Sequence, residues 1–400
     1  MKLSARERAM LDGAAGPGAR LAMRILDAVG RAHDAPDLIP VRSAHVGLSL
    51  SSLGEAGVAL LESLAAGGAR FAVPATTNVL SVEQDEAVAG ASPDAALQGR
   101  ALAALVRLGA TPNCSCNPFV QGHAPRAGEA VAWSESASAP FVNAVLGART
   151  NREGATALAS ALTGLTPRYG MHLDECRRGA VLFRVNAPPG DFAGFSLLGA
   201  AIGRRCEGRI PVLVGVRPPP SRDLLYAFCA ALAAYSSVAT FHMVGVTPEA
   251  PTLAAAFAGA APPAIDVDEA MLRGEAARIN RADPADAELV VLGCPHASLD
   301  QLEEIAALLA GRHVAAGRHL LVHTNADVRE AARRAGTLDA LEAAGARVTA
   351  GTCAYVATDE WPRGTRLATD SAKMAFLMAS RGLATAVAST RDCVRAVSSS

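Results

Sequence analysis

The feature that most constrains this chain is the alternation that begins at Gly179. Short runs at 181–185, 210–216, 238–244, 288–292, 319–322 and 346–349 are apolar almost throughout, and several are separated by segments of helical period. Runs that do not alternate polar with apolar predict strands buried on both faces, and helices between such strands are the signature of parallel βαβ sheets. The expected fold class is therefore α/β. At 400 residues the chain is long enough for two to three domains with a sizeable core.

The first third reads as helix-rich. Pro17 followed by Leu21, Ile25 and Val29 predicts an amphipathic helix ending near Gly30. A second helix is expected over 53–66, closed by Gly67-Gly68, and a third runs from Ser92-Pro93 to Leu108 with Gly109 as its stop. Between them, 69–73 predicts a short strand that leads into the polar loop Pro74-Ala-Thr-Thr-Asn78, where open α/β sheets place ligands. The segment 111–128 is irregular, Pro218-Pro219-Pro220 predicts a rigid turn before a helix starting near Arg222, and Ala/Pro-rich 250–263 predicts a surface loop or domain joint. Gly194 to Gly199 lacks the spacing of a phosphate loop.

A formal charge of −1 supplies no sustained positive field, so neither nucleic acid nor an anionic membrane is an expected partner. Hydrophobic residues at 50% and charged residues at 19% exclude disorder. The eight cysteines show no secretory pairing, and charges of both signs fill the first residues, Met-Lys-Leu-Ser-Ala-Arg-Glu-Arg, so a reducing, cytoplasmic setting is expected. Residues 224–246 carry no Asp, Glu, Lys or Arg. They include Tyr226, Tyr235, Ser236, Ser237, Thr240 and His242, and they divide into a buried helix ending near Tyr235 and the strand 238–244 rather than forming a membrane span.

Three cysteines stand in loops after strands or irregular segments, with glycine or proline beside them: Cys116 in Cys-Ser-Cys-Asn-Pro-Phe119, Cys294 in Gly-Cys-Pro-His296 and Cys353 in Gly-Thr-Cys353. Such backbone leaves thiolates exposed at a sheet edge near amide groups, which suits a metal or iron–sulfur centre, whereas buried cysteines also serve as small hydrophobes. Spacing alone leaves both readings open. The stretch 128–153 sets Trp133 among Glu135, Ser136, Asn143, Arg149 and Arg152, a polar density suited to an oxygen-rich ligand or to a capped, charge-paired helix. Lys2 and Lys373 are the only lysines, and Lys373 follows Thr369-Asp370-Ser371 as a point charge for a carboxylate or phosphate, or as an ordinary helix-start residue.

Taken together these segments resemble the large subunit of the aconitase X family, within the aconitase superfamily. The resemblance is carried by Met10-Leu-Asp-Gly13, Ala44-His-Val46, Val73-Pro-Ala-Thr-Thr-Asn78, Cys116-Asn-Pro-Phe119, Ala132-Trp-Ser-Glu-Ser136 through Gly147-Ala-Arg-Thr-Asn-Arg-Glu153, Tyr169-Gly-Met-His172, Gly293-Cys-Pro-His296, Gly351-Thr-Cys353 and Asp370-Ser-Ala-Lys373. It implies an aconitase-like multi-domain core of parallel or mixed sheets flanked by helices, without the swivelling domain, in three parts: 1–180, 181–285 and 286–400. It also implies an iron–sulfur cluster, 2Fe–2S or 4Fe–4S, on Cys116, Cys294 and Cys353. Substrate contacts are implied at Gly47, Leu48, Ser49, Thr77, Val82, Glu83, Glu135, Ser136 and Lys373, with Glu135, Ser136 and Lys373 as the catalytic candidates.

The activity so implied is a hydro-lyase acting on a small hydroxy acid: cis-3-hydroxy-L-proline to Δ1-pyrroline-2-carboxylate, or mevalonate 5-phosphate dehydration in the alternative branch. Leu48-Ser49 differs from the Val-Asn pair expected in that second branch. Neither the 45–50 nor the 78–83 loop holds a Lys or Arg for a phosphate, so the amino-acid substrate is expected. No residue stands out as the catalytic base, which the resemblance assigns to a serine on a swivelling domain carried by a small-subunit partner. The alternatives are an inactive or regulatory cluster-binding relative and a zinc hydrolase built on the same three cysteines.

Overall fold

Two parallel sheets present the loops that matter, and in each the strands are only two to six residues long, just enough to fix where the next loop begins. The computed structural model describes residues 1–90, 92–357 and 361–399. The chain divides into two compact units, Met1–Arg178 with Thr247–Glu249, and Gly179–Val246 with Ala250–Ser400.

In the first unit the strands run Ala110–Thr111, Ala75–Thr77, Ala44–Val46 and Ala132–Trp133 across the sheet, all parallel. Helix Pro17–Ala32 packs on Ala155–Thr163, and Leu50–Ala66 packs on Pro93–Leu108. Their apolar faces meet the strands in one cluster that includes Met23, Leu26, Val46, Leu61, Leu105 and Leu108. The Pro93–Leu108 helix has strong end signals: Ser92 Oγ accepts from the Ala95 amide, Pro93 opens the first turn, and Gly109 closes the helix at φ 109°. Leu38–Pro40 and Leu165–Pro167 add an antiparallel ribbon. Thr247–Glu249 belongs to this unit because the Glu249 carboxylate accepts from the buried Arg177 guanidinium, which also grips Asn143.

The second unit holds two parallel sheets. The four-stranded one has the order Ala264–Val267, Val181–Val185, Pro211–Val214, His242–Met243. Helices Phe192–Arg205 and Arg222–Tyr235 pack tightly against each other, and a Cβ on Gly199 would fall 2.4 Å from the Phe228 carbonyl oxygen. That glycine therefore serves helix packing rather than a phosphate loop. The five-stranded sheet has the order Arg347–Ala350, His319–Thr324, Leu289–Leu292, Arg366–Thr369, Ala384–Val387. Chain order runs outward one way from Leu289–Leu292 and then resumes on its other side at Arg366–Thr369. The carboxyl ends of those two neighbours thus flank the topological switch point, where open α/β sheets bind ligands.

The α/β class with parallel sheets and flanking helices is as expected, while several local expectations are corrected. Residues 69–73 form no strand: Phe71 and Ala72 donate their amides to Leu108 and Ala161, capping helix ends, and the strand lies at Ala75–Thr77 just after Pro74. The expected strand 238–244 pairs only at His242–Met243. The segment 250–263 is not a plain surface loop, since Leu253–Ala256 is helical and Ala250, Ala256 and Phe257 are buried. The stretch 128–153 is not a charge-paired helix but the strand Ala132–Trp133, a turn, and the π-helix Phe141–Val145. Among the described residues no helix is long and apolar enough to cross a membrane.

Candidate functional site

All four strands of the first unit's main sheet release their chains at one edge. After Val46 come Gly47, Leu48 and Ser49; after Thr77 comes the loop to Glu83; after Thr111 comes the Cys114-Ser-Cys116 turn; after Trp133 come Ser134, Glu135 and Ser136. Loops from separate strands converge here because parallel pairing puts every carboxyl end on the same side. Asn78 Nδ2 donates to Glu135 Oε2 at 2.6 Å, and the Ala137 amide donates to Glu135 Oε1 at 2.9 Å, so both oxygens of the half-buried carboxylate are held. Arg152 lies within electrostatic reach of Glu135, while its own burial lowers its pKa from the usual value. Ser136 is exposed beside them.

Beneath this edge a chain of polar side chains runs through the sheet. His45 Nδ1 and His123 Nδ1 meet the same Thr76 hydroxyl at 2.8 and 2.6 Å, and His123 Nε2 meets Ser43 Oγ at 2.8 Å. One hydroxyl donates only once, so at least one of the two imidazoles donates to it at Nδ1. Burial pushes His45 down to about 3 and His123 down to about 4, so both rings are neutral at physiological pH. Trp133 stacks on His45 and on Phe119, and its indole N–H donates to Ser138 Oγ at 2.8 Å, which pins the turn that carries Glu135. Thr77 Oγ1 accepts from the Cys114 amide at 3.1 Å and lies 3.7 Å from the Cys114 thiol, tying the second strand to the cysteine turn.

In the second unit Cys294 follows Leu289–Leu292, Cys353 follows Arg347–Ala350, and Lys373 opens the helix after Arg366–Thr369. Gly293 adopts φ 83°, and a Cβ there would fall 2.0 Å from the His323 carbonyl oxygen, so glycine alone permits the turn that delivers Cys294. His296 Nε2 lies 2.8 Å from the Thr352 carbonyl oxygen, joining the two cysteine loops. Cys294 is 3% exposed rather than open at the edge, which corrects the expectation of an exposed thiol. Its burial pushes the thiol up to about 12; the Lys373 charge and a Ser371 hydrogen bond act in the opposite direction, and the Cys353 thiol adds to the rise. Lys373 itself stands on a fixed turn: Ser371 Oγ accepts from the Met374 amide at 3.2 Å, and the Ala372 amide donates to Ser196 Oγ at 2.8 Å.

The residues selected from the sequence thus occupy carboxyl edges in both units. Gly47, Leu48, Ser49, Thr77, Val82, Glu83, Cys116, Glu135 and Ser136 lie in the first, and Cys294, Cys353 and Lys373 lie in the second. Leu48 and Val82 bury their side chains in the apolar cluster, leaving only backbone groups to meet a ligand. Sequence reasoning gave no role to Asn78, Gln98 or the His45–Thr76–His123 chain; Asn78 sat in view at the end of a motif, whereas Gln98 showed only as one amide on an apolar helix face. Among the described residues no three His, Cys, Asp or Glu side chains are already gathered as a metal cage. The donor chemistry still fits an iron–sulfur group, since thiols are its ligands, and Cys294 has a cationic neighbour that favours the thiolate.

Comparison with known proteins gives consistent matches along the chain. Residues 1–175 match the aconitase X first domain, 179–277 the second domain and 287–399 the third domain. The chain is 40% identical over 385 residues to a cis-3-hydroxy-L-proline dehydratase of Pseudomonas aeruginosa, covering 94% of this chain and 66% of that protein. It therefore spans about two thirds of the length of that relative. It is 37% identical over 375 residues to the phosphomevalonate dehydratase large subunit of Methanothermobacter thermautotrophicus, covering 92% of each. The crystal structure of Thermococcus kodakaraensis aconitase X in its holo-form superposes with a TM-score of 0.89 at 31% identity, over 99% of both chains.

Proposed function

The chain belongs to the aconitase X family, and on that premise we propose that it is the large subunit of an iron–sulfur hydro-lyase that dehydrates cis-3-hydroxy-L-proline to Δ1-pyrroline-2-carboxylate. In the reaction the C2–H bond beside the carboxylate and the C3–O bond of the hydroxyl break, a C2=C3 bond forms and water leaves, and the resulting enamine becomes Δ1-pyrroline-2-carboxylate when its N–H proton moves to C3. Cys116, Cys294 and Cys353 would hold the cluster, which when bound supplies a Lewis acid for the departing hydroxyl. The remaining work falls to the chain's own side chains. Lys373, set on the turn capped by Ser371, neutralises the substrate carboxylate as a point charge. Glu135, held at both oxygens, orients the hydroxyl and delivers a proton to it, and Ser136 adds a hydrogen bond from the exposed side of the same turn. The base that removes the proton comes from a small subunit carrying the swivelling domain.

The observation that carries the choice of substrate is the charge of the two loops at the first unit's carboxyl edge. His-Val-Gly-Leu-Ser-Leu at 45–50 and Asn-Val-Leu-Ser-Val-Glu at 78–83 contain no Lys or Arg, while Glu83 is half-exposed at the start of the Gln84–Ala89 helix. A doubly charged phosphate finds no partner there, whereas a ring ammonium finds a carboxylate. Arg152, near Glu135, favours mevalonate 5-phosphate as the second reading, because it is a cation on the same edge. Assaying both compounds with the anaerobically prepared chain, with and without its small subunit, separates them. Turnover of the hydroxyproline by the complex supports the proposal, and turnover of mevalonate 5-phosphate alone replaces it with the second reading.

A further inference from the structure

We infer that Gln98 is a positioning residue that locks the two substrate loops of the first unit to each other, an inference that rests on the proposed role of those loops. Gln98 lies within the Pro93–Leu108 helix on the face that also buries Ala95, Ala101, Leu102 and Leu105, and its side chain is wholly excluded from solvent. A carboxamide in an apolar face is tolerated only when both of its ends find partners. Here they do, and neither partner is in a helix or strand. Gln98 Nε2 donates to the Leu48 carbonyl oxygen at 2.9 Å, in the loop after Ala44–Val46, and Gln98 Oε1 accepts from the Ser81 amide at 2.8 Å, in the loop after Ala75–Thr77.

A third bond closes the arrangement. Ser81 Oγ accepts from the Leu50 amide at 2.9 Å, so the two loops are joined directly as well as through the helix. Leu48 lies between Gly47 and Ser49, and Ser81 lies immediately before Val82 and Glu83. One buried amide therefore sets the separation of both candidate binding segments before any substrate arrives. Preorganisation of this kind lowers the cost of ordering loops on binding, and its loss is read mainly in KM. Methionine has the length of glutamine but no group that bonds to Leu48 or Ser81, leaving a buried carbonyl and a buried amide unsatisfied in the loops.

The test compares the cluster-loaded wild type with Gln98→Met, with the partner subunit present for turnover. The first readout is amide hydrogen exchange, which needs no substrate: Ser81 and the 47–50 amides should exchange about tenfold faster in the variant, while the strands and the rest of the helix keep their protection. The second is kinetic: KM should rise about tenfold with kcat changed far less. Wild-type exchange in both loops, or accelerated exchange spread across the whole unit, overturns the inference, as does an unchanged KM in a folded variant that turns over. Should Gln98→Met fail to fold, the wild type decides: the Ser81 amide, bonded to Gln98 Oε1, must be protected from exchange as strongly as the amides of the Pro93–Leu108 helix, and rapid exchange there also overturns the inference. If the wild type dehydrates neither candidate substrate, the proposed function fails, while the exchange result still decides the role of Gln98.

Discussion

Asn78 and Glu135 follow strands that are not neighbours, yet the Asn78 amide reaches Glu135 Oε2 at 2.6 Å. The strand between theirs, Ala44–Val46, releases its chain at Gly47, so the Asn78–Glu135 bond spans the place where the first of the two proposed substrate loops starts. This pair fixes the direction of the one carboxylate to which the proposed chemistry gives a proton-transfer role. Glu135→Gln should lower turnover about a hundredfold or more, the usual range for losing a positioned acid. Asn78→Ala should lower it about tenfold by releasing one oxygen. Both variants should keep the iron content of the wild type, and turnover within twofold of it in Glu135→Gln would remove this residue from the mechanism.

The eight cysteines should sort into two groups when replaced one at a time by serine. Cys116→Ser, Cys294→Ser and Cys353→Ser should each lose most of the bound iron, because a hard hydroxyl is a poor substitute for thiolate. Cys176→Ser should retain it, as that residue lies in a surface-side 3-10 turn far in sequence from all three loops. Iron and sulfide analysis after anaerobic purification checks both halves.

Gly293→Ala should destabilise the second unit and disturb Cys294 together. The added methyl would meet the His323 carbonyl at a backbone φ of 83°, a combination that costs more than about 1 kcal/mol. The thermal midpoint should fall by several degrees, and iron retention should fall with it. A variant with wild-type midpoint and iron content would show that the turn tolerates a side chain after all.

Asp370 gives a pH test with a definite sign. Burial pushes its carboxyl up to about 7, against the hydrogen bond from Thr390, so the folded chain keeps a proton that the unfolded chain has already lost. Between about pH 4 and pH 7 the wild type therefore loses stability as pH rises, by at most about 1.4 kcal/mol per unit from this group. Asp370→Asn has no proton to lose. Denaturant unfolding of both proteins at pH 5 and pH 7.5 should show the variant gaining relative to the wild type at the higher pH; a difference that stays flat would contradict the assignment.

The sequence carried the α/β class because strands buried on both faces of a parallel sheet are largely apolar, and 181–185, 288–292 and 346–349 have that composition apart from Arg184, Glu288 and Arg347. It misplaced the strand near Pro74 because proline reads as a terminator, although at the first position before a strand its missing N–H does no harm. Arg366–Thr369 and Ala384–Val387 escaped notice because alanine and threonine runs of four residues have little strand signature, and their place in the sheet comes from pairing. The cysteines and Lys373 were visible as unusual residues in loops. What stayed hidden were the supports, Asn78 under Glu135 and Gln98 under the two loops, since a hydrogen bond across 57 or 50 residues of chain leaves no local pattern.

The central claim is that this chain combines iron–sulfur chemistry with a carboxylate and a lysine for dehydration. Iron and acid-labile sulfide analysis of the anaerobically purified protein, read together with its visible spectrum, tests it most directly. The account predicts iron and sulfide bound in stoichiometric amounts with a brown absorption that is lost in Cys294→Ser. A colourless protein holding stoichiometric zinc would contradict it.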